Sequence, residues 1–307
     1  MTILLRTIAI AAAALMLSPS LKEAPGEDRT TFLYMPDGLV ITMEEAVDTC
    51  LNTLRMGDAQ SAMTYALTAY DRGCTEAVYP IALMYMYGMG VERDFTAAAS
   101  WLMKGVMQGN ALCLYQMGQL QEMSGGPNAN QIAKQYYMRS ADQGSLSACL
   151  RAGEMLEGLH NYHDMFRYAL KAACMGSEIG YDRLGQCYEY GRGVEKNAVC
   201  AQVMYALAIR KGSVDAMNHL AHFYISGSGD TRNVTMGVRL YERALEKGSV
   251  SAALYLGELY ERGRDVEKNM DRAIELYRYA ASYGNLVAEY RLDQLRSTEK
   301  PPRTNAP

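Results

Sequence analysis

The sequence has little proline, little phenylalanine and no long polar tract. Only 8 of its 307 residues are proline, and 4 are phenylalanine against 23 tyrosines. Without a proline-rich or polar stretch to act as a linker, we expect one continuous body. The 30 basic and 34 acidic side chains are spread along the chain, for a net charge of −4. Because no basic stripe is available to neutralise a phosphate backbone, we do not expect a nucleic acid partner.

Signatures of catalysis are missing as well. The sequence has no HExxH pattern, nucleophile elbow, phosphate-binding loop or dinucleotide fingerprint. We therefore expect neither an enzyme nor a bound cofactor. Asp215, His219 and His222 are spaced i, i+4 and i+7, so they would share a helix face and could present ligands to Zn²⁺. Since such a trio is more often solvated surface, we predict no metal site.

The amino-terminal segment predicts export. Residues 1–6 form a short, positively charged segment, and residues 7–17 form an apolar one. Ser18 and Ser20 are small residues at which a signal peptidase could cut. This pattern is typical of a signal peptide over residues 1–20, so we expect a secreted or periplasmic protein. A membrane anchor formed by an uncleaved signal is the alternative, although 11 apolar residues are short for a hydrocarbon core of about 30 Å. We expect no stable membrane span after the signal is removed.

Internal repetition is the strongest pattern in the sequence. Glycines recur at intervals of 36, 35, 32, 36, 36 and 36 residues: Gly73, Gly109, Gly144, Gly176, Gly212, Gly248 and Gly284. An apolar residue follows each glycine by eight positions, a small residue usually comes next, and an aromatic residue precedes each glycine by seven or eight positions. Apolar residues at helical spacing, separated by Gly-rich turns, predict two antiparallel helices per repeat, with each of these glycines ending a helix.

These repeats resemble a known family. The run from Ala252 to Gly263 (AALYLGELYERG), followed by Ala273 and Tyr277, is similar to the Sel1-like repeat, a relative of the tetratricopeptide repeat. The resemblance covers about residues 59 to 297. It implies an all-α fold, a right-handed α-α superhelix of helical hairpins, that acts as a scaffold for protein or peptide partners. The repeat between Gly144 and Gly176 departs from the pattern, because it is shorter and lacks the double-glycine turn.

The ends of the chain are predicted to differ from the repeats. Residues 21–41 are expected to form a linker and a small β-hairpin, since apolar runs flank Pro36-Asp37-Gly38. Thr42 and Glu45 have the spacing of a capping box, which predicts a first helix from about Met43 to Met56. The repeat region should then extend over residues 42–297, as about six full repeats with half units at both ends. Residues 298–307 are expected to be a disordered tail.

The first helix of each repeat supplies the candidate binding residues. In tetratricopeptide-like stacks these helices line the concave side, and their positions three, seven, ten and fourteen after the glycine should be exposed. The amino-terminal end of this face is apolar, with Pro80 and Leu83, and arginines and tyrosines follow. Tyrosine, methionine and arginine are enriched at protein interfaces, so we predict a groove for a partner protein on a monomeric chain. The predicted partner-binding residues are Tyr87, Met123, Arg151, Arg183, Tyr190, His219, His222, Tyr255 and Arg262.

A second functional class stays open at this point. One cysteine-rich branch of the family is linked with β-lactamase-like or penicillin-binding activity, and its repeats carry paired cysteines. The seven cysteines here fall at different phases of the repeat. Cys187 and Cys200 are placed on either side of one turn and could meet, but helical phase favours free thiols. We expect Cys113, in a column of small residues, to be buried.

Overall fold

The computed structural model describes residues 32–35, 38–227 and 231–298. The predicted signal peptide, most of the predicted linker and nearly all of the predicted tail lie outside the described residues. The described part contains fifteen α-helices and two short strands. It falls into two compact units that divide between Ala152 and Gly153. The predicted all-α class, with hairpins stacked in order along the chain, is confirmed within each unit.

The helices are 13 or 14 residues long with one exception, α3, which has 10. Before the division lie β1 (Phe32–Tyr34), β2 (Val40–Thr42), α1 (Met43–Arg55), α2 (Ala59–Asp71), a 3₁₀ turn (Thr75–Ala77), α3 (Val78–Tyr87), α4 (Phe95–Met107), α5 (Ala111–Ser124) and α6 (Ala129–Asp142). The division falls within α7 (Leu146–Gly158). After it come α8 (Tyr162–Cys174), α9 (Glu178–Tyr190), α10 (Ala198–Arg210), α11 (Val214–Ser226), α12 (Val234–Glu246), α13 (Val250–Arg262), α14 (Met270–Ser282) and α15 (Leu286–Thr298).

The predicted β-hairpin forms at the start of the described chain. Strands β1 and β2 pair antiparallel, with Leu33 opposite Ile41. Met35 and Ile41 are buried and pack in one apolar cluster with Val47 and Leu51 of α1. The hairpin thereby covers apolar surface on the first helices.

The capping box predicted at α1 is also confirmed. The side chain of Thr42 accepts a hydrogen bond from the backbone N–H of Glu45, whose carboxylate accepts one from the backbone N–H of Thr42. Helix α1 ends at Arg55, one residue before the predicted Met56.

The turn between hairpins is encoded by two adjacent residues. The closing glycine has a positive φ, +106° at Gly212, which lets the preceding helix end in the left-handed region. The next residue, Ser213, caps the following helix, because its side chain accepts a hydrogen bond from the N–H of Ala216. The same Gly-Ser or Gly-Asn pair occurs at residues 109–110, 144–145, 176–177, 248–249 and 284–285. One residue pair thus ends one helix and begins the next.

Three hairpins are closed by a tyrosine of the second helix that packs on a glycine of the first helix. Tyr205 of α10 lies against Gly185 of α9, where an added Cβ would stand 2.5 Å from the ring. The glycine therefore makes room for the ring. Tyr137 on Gly118 and Tyr277 on Gly257 repeat this contact.

The same tyrosines donate a hydrogen bond to a glutamate one turn after the glycine. Their hydroxyls lie 2.6 Å from a carboxylate oxygen in each case: Tyr137 to Glu122, Tyr205 to Glu189 and Tyr277 to Glu261. A buried phenol needs a partner for its hydroxyl, and a carboxylate is a strong acceptor. The contact therefore joins the two helices of a hairpin by both packing and hydrogen bonding.

The short repeat, α7 and α8, is built differently. His160 takes a positive φ of +57° in its turn, whereas glycines take a positive φ after α3, α5, α9 and α13. The hydroxyl of Tyr168 accepts a hydrogen bond from Arg167 at 3.0 Å. Glu157, which corresponds to the tyrosine-bound glutamates, accepts bonds from Arg183 and Arg192 instead.

One prediction about exposure is wrong. Pro80 and Leu83 of α3 were expected on the open face, but both are buried. Leu83 belongs to the main apolar cluster of this part of the chain, together with residues of α1, α4 and α5. Helix α3 is enclosed on more than one side, so helical phase alone does not identify its exposed face.

Two further expectations concern thiols and membranes. Cys113 is buried, as predicted from its column, and all seven cysteines are free thiols. Within the described ranges, none of the helices combines the length and the apolar character that a membrane crossing requires.

We predict that Gly185→Ala destabilises the protein by about 1–3 kcal/mol, because its Cβ would overlap the ring of Tyr205. Urea denaturation monitored by circular dichroism measures this loss. Gly153→Ala is the matched control, since Gly153 occupies the same column and has nothing within 4 Å of the added Cβ. An equal loss of unfolding free energy in both variants would contradict the packing argument.

Candidate functional site: the first-helix face

The predicted partner-binding residues are distributed over both units. Before the division, Tyr87 is half-buried at the end of α3, and Met123 is exposed near the end of α5. Arg151 forms an ion pair with Glu122, with 2.5 Å between the nearest atoms. Glu122 also accepts a hydrogen bond from the hydroxyl of Tyr137. Arg151 is therefore bound to the same glutamate that joins the two helices of the hairpin.

The other six predicted residues lie on α9, α11 and α13. We call them the first-helix face: Arg183, Tyr190, His219, His222, Tyr255 and Arg262. Among these helices, α9 and α11 meet directly, because Nδ1 of His219 lies 2.8 Å from the carboxylate of Asp182. The structure therefore brings first helices of neighbouring hairpins side by side.

The arginines of the first-helix face are held by carboxylates. Arg183 bridges Glu154 and Glu157, at 3.1 Å to each. Arg192, in the turn after α9, binds the other oxygen of Glu157 at 3.0 Å. Arg262 pairs with Glu258 one turn earlier on its own helix. These guanidinium groups are neutralised within the chain, which reduces their attraction for an acidic partner.

The tyrosines of the first-helix face are exposed aromatic side chains. Tyr190 is 51% exposed and Tyr255 is 40% exposed. One face of the Tyr255 ring stacks on buried Tyr241, with centroids 5.5 Å apart. The guanidinium of Arg192 lies 5.0 Å from the centroid of Tyr190. Both rings are thus held in place while much of their surface meets solvent.

Two buried carboxylates beneath this face were not singled out in the sequence. Asp182 and Glu189 of α9 are only 6% and 7% exposed. Asp182 accepts hydrogen bonds from His219 and from Gln186, the latter at 3.1 Å. A glutamate recurs four residues after the glycines at 118, 153, 185 and 257, and this pattern was the available signal for Glu189.

These carboxylates shift the pKa values of their neighbours. Burial of the phenol and the adjacent Glu189 carboxylate raise the pKa of Tyr190 to about 12. Burial also opposes a charge on His219, but the hydrogen bond to Asp182 and the nearby carboxylates of Asp182, Asp215 and Glu189 outweigh it. The pKa of His219 is therefore raised above its ordinary value.

The candidate metal ligands do not form a ligand set. His219 turns to Asp182 of the neighbouring helix, and His222 is exposed and near Ser226 of its own helix. Among the residues that the structure describes, no three His, Cys, Asp or Glu side chains are grouped so that they could hold a metal ion.

The repeats match a known family model. Its description is the Sel1 repeat, and it matches residues 75–110, 111–145, 180–213, 214–249 and 250–285, which is more than half of the chain. The chain belongs to the Sel1 repeat family. Each matched segment corresponds to one hairpin, and the unmatched stretch between residues 145 and 180 contains the short repeat α7 and α8.

Two solved structures show the same Sel1 repeat fold. One is c5321, a protective antigen present in uropathogenic Escherichia coli strains, with a TM-score of 0.68 and 22% identity; the match covers 84% of this chain and 58% of that chain. The other is a Sel1 repeat protein from Oxalobacter formigenes, with a TM-score of 0.63 and 25% identity over 76% of this chain and 96% of that chain. The present chain thus spans little more than half of the antigen's length. Its free cysteines also differ from the paired framework of the penicillin-linked branch.

We predict that Tyr205→Phe costs about 1–3 kcal/mol of unfolding free energy, because buried Glu189 loses a hydrogen-bond donor. Tyr241→Phe is the control, since Tyr241 is also buried but its hairpin carries Ile225 where the hairpin of Tyr205 carries Glu189. Urea denaturation of both variants checks the difference. Equal stability losses would show that the Tyr205–Glu189 bond contributes nothing specific.

We predict a second, pH-dependent effect at His219. A histidine whose folded-state pKa is raised adds stability that is fully present below its unfolded pKa of 6.5 and is lost as pH rises through the folded-state value. His219→Gln should therefore lose more unfolding free energy at about pH 5.5 than at about pH 8.5. Asp182→Asn keeps a hydrogen-bond acceptor and should remove the same pH dependence. A difference from the parent protein that is constant with pH, measured by urea denaturation, would refute this assignment.

Proposed function

We propose that this Sel1 repeat protein is an exported, non-catalytic scaffold that binds a partner protein or peptide on its first-helix face. Export is supported by the amino-terminal pattern of a basic segment, an apolar stretch and small residues. A scaffold role is supported by the family, whose repeats generally mediate protein interactions.

The observation that carries the proposal is the exposure of Tyr190 and Tyr255 on this face. Large aromatic side chains that are rigidly held and partly exposed are typical of binding hot spots, because they bury much area at a small cost in conformational entropy. Tyr190 is held through Arg192 and Glu157, and Tyr255 through its stack on Tyr241.

The arrangement of the first helices supports the choice of face. Helices α9 and α11 make side-chain contact, as at Asp182 and His219. In a stack of hairpins, the helices that approach one another most closely lie on the inner side of the curve, where an extended partner meets several repeats at once. The predicted concave groove rests on this reasoning.

We predict that Tyr190→Ala combined with Tyr255→Ala removes partner capture while the far-ultraviolet circular dichroism stays unchanged. The measurement is affinity capture from the protein's own cell envelope extract by the immobilised chain, with mass spectrometry of the bound proteins. The control is Val199→Ala combined with Tyr283→Ala, which truncates exposed side chains outside the first-helix face. A partner retained equally by both double variants would disprove binding at this face.

A further inference from the structure

Helix α10 carries exposed apolar residues where the corresponding helices of the other hairpins carry polar ones. Val199, Val203 and Ala206 are spaced i, i+4 and i+7, so they lie on one side of the helix, which we call the α10 stripe. All three are exposed, Val199 by 70% and Val203 by 48%. The two valines lie 13 and 9 positions before the closing glycine, Gly212.

The comparison with the other repeats shows that the α10 stripe is not part of the repeat pattern. In the other six second helices that the structure describes, both of these positions hold polar residues. Examples are Thr235 and Arg239 on α12, and Asp271 and Glu275 on α14. Helix α10 also has no charged side chain between Ala198 and Ile209. A helix that is apolar on its inner and its outer side is typical of one that is covered on both.

The α10 stripe is bordered by positive charge. Residues 165–176 and 198–212 contain four Arg or Lys and no Asp or Glu. Arg210 continues the stripe one turn after Ala206. The next residue, Lys211, extends to the end of α8, because its Nζ lies 3.6 Å from the position that a Cβ on Gly176 would take. The carboxyl ends of α8 and α10 therefore lie close together and share this charge.

The cations at the end of α10 are not neutralised in the way that the arginines of the first-helix face are. Arg183 and Arg262 are each bound to glutamate. For Arg210 and Lys211, no ion pair is found among the residues that the structure describes. Their charges are thus available to an anionic partner.

These two features limit what can cover the α10 stripe. A second copy of the chain placed on it would bring two sets of unbalanced cations together, which is unfavourable. An acidic protein segment would balance Arg210 and Lys211 but would not use the valines. The surface of an anionic bilayer presents phosphate groups next to an apolar interior, so it complements both the cations and the apolar side chains.

We propose that the outer side of α10 binds the surface of an anionic lipid bilayer. Val199, Val203 and Ala206 enter the boundary between headgroups and acyl chains, while Arg210 and Lys211 contact lipid phosphates. The binding is peripheral and needs no helix that crosses the membrane. It goes beyond the proposed function, because the first-helix face is formed by other helices and is left open to its partner.

The test is flotation of the full chain with large unilamellar vesicles in about 0.1 M salt, where charges still act over about 10 Å. One set of vesicles contains equal amounts of phosphatidylglycerol and phosphatidylcholine, and the other contains phosphatidylcholine alone. We expect at least about tenfold stronger partition onto the anionic vesicles, since each lysine or arginine at such a surface strengthens binding about fivefold. Equal partition onto both sets, or no binding to either, overturns the proposal.

Two double variants test the apolar and the cationic parts separately. Val199→Ser combined with Val203→Ser should weaken partition onto anionic vesicles about tenfold through loss of apolar contact. Arg210→Gln combined with Lys211→Gln should weaken it by at least about tenfold through loss of charge. Circular dichroism checks that each variant is folded. Unchanged partition in either double variant contradicts the proposal, and it would also show that binding comes from another part of the chain, such as the apolar residues 7–17.

Each double variant has a matched control that should bind like the parent chain. Met103→Ser combined with Met107→Ser removes exposed apolar side chains from the outer side of α4. Arg55→Gln combined with Arg72→Gln removes the same net charge from exposed positions near the start of the repeats. A control that weakens partition as much as its α10 counterpart overturns the assignment to α10.

Two other occupants of the α10 stripe would be recognised in parallel measurements. If sedimentation equilibrium shows a dimer of the parent chain that the double valine variant loses, a second copy covers the stripe and the proposal fails. If polyglutamate binds as tightly as the anionic vesicles and without need of the valines, the surface is one for acidic protein segments and the proposal also fails. Neither result bears on partner capture at Tyr190 and Tyr255, which these variants leave intact.

Discussion

Three hairpins of this protein depend on the packing of a tyrosine ring against the backbone of a glycine in the preceding helix. The ring fills the place where a side chain is missing, so the two helices approach closely and a large apolar surface is removed from water. The phenol hydroxyl is then buried as well and needs an acceptor. In three hairpins this acceptor is a glutamate one turn after the glycine. The glycine makes room for the tyrosine ring, and the glutamate accepts the hydrogen bond of its hydroxyl. Each of the three residues therefore depends on the other two for its role in joining the helices.

This packing rule places carboxylates on the first helices of the hairpins. Each glutamate is recruited for a hydrogen bond within the hairpin, but its charge also acts on its surroundings. Burial opposes a charge on His219, but the hydrogen bond and charge of Asp182, with the nearby carboxylates of Asp215 and Glu189, raise its pKa. In the short repeat, Glu157 holds Arg183 and Arg192. The glutamate at this repeat position therefore binds a tyrosine hydroxyl in the hairpin of α9 and α10, and binds arginines in the short repeat before it.

Membership of the Sel1 repeat family explains the scaffold but not the partner. The repeats supply a regular backbone, and specificity resides in the side chains that the packing rule leaves free. Here those side chains are two exposed tyrosines, a histidine bound to a buried aspartate, and arginines that are already paired. The mixture of exposed rings and paired charges distinguishes this face from a simple apolar groove.

The sequence by itself determined the hairpins, their order and the places where helices end. Closing glycines, the small-residue column and the tyrosine column are local patterns whose spacing follows from the helix period, so they could be read without coordinates. Even the irregular short repeat was visible as a four-residue deletion. The predicted exposure was correct for Tyr190 and Tyr255, while binding at these residues stays a prediction. Pro80 and Leu83 were misplaced, because their burial depends on which neighbouring helices cover α3.

Only the tertiary structure decided which residues of the face act together. Asp182 and His219 are 37 residues apart, and Arg183 is 29 residues from Glu154, so no local period connects them. Whether an arginine is free or neutralised, and whether a carboxylate is buried beside a histidine or an arginine, depends on distances between hairpins. Those distances are set by the stacking of helices, which the repeat spacing implies but does not specify at the level of single side chains.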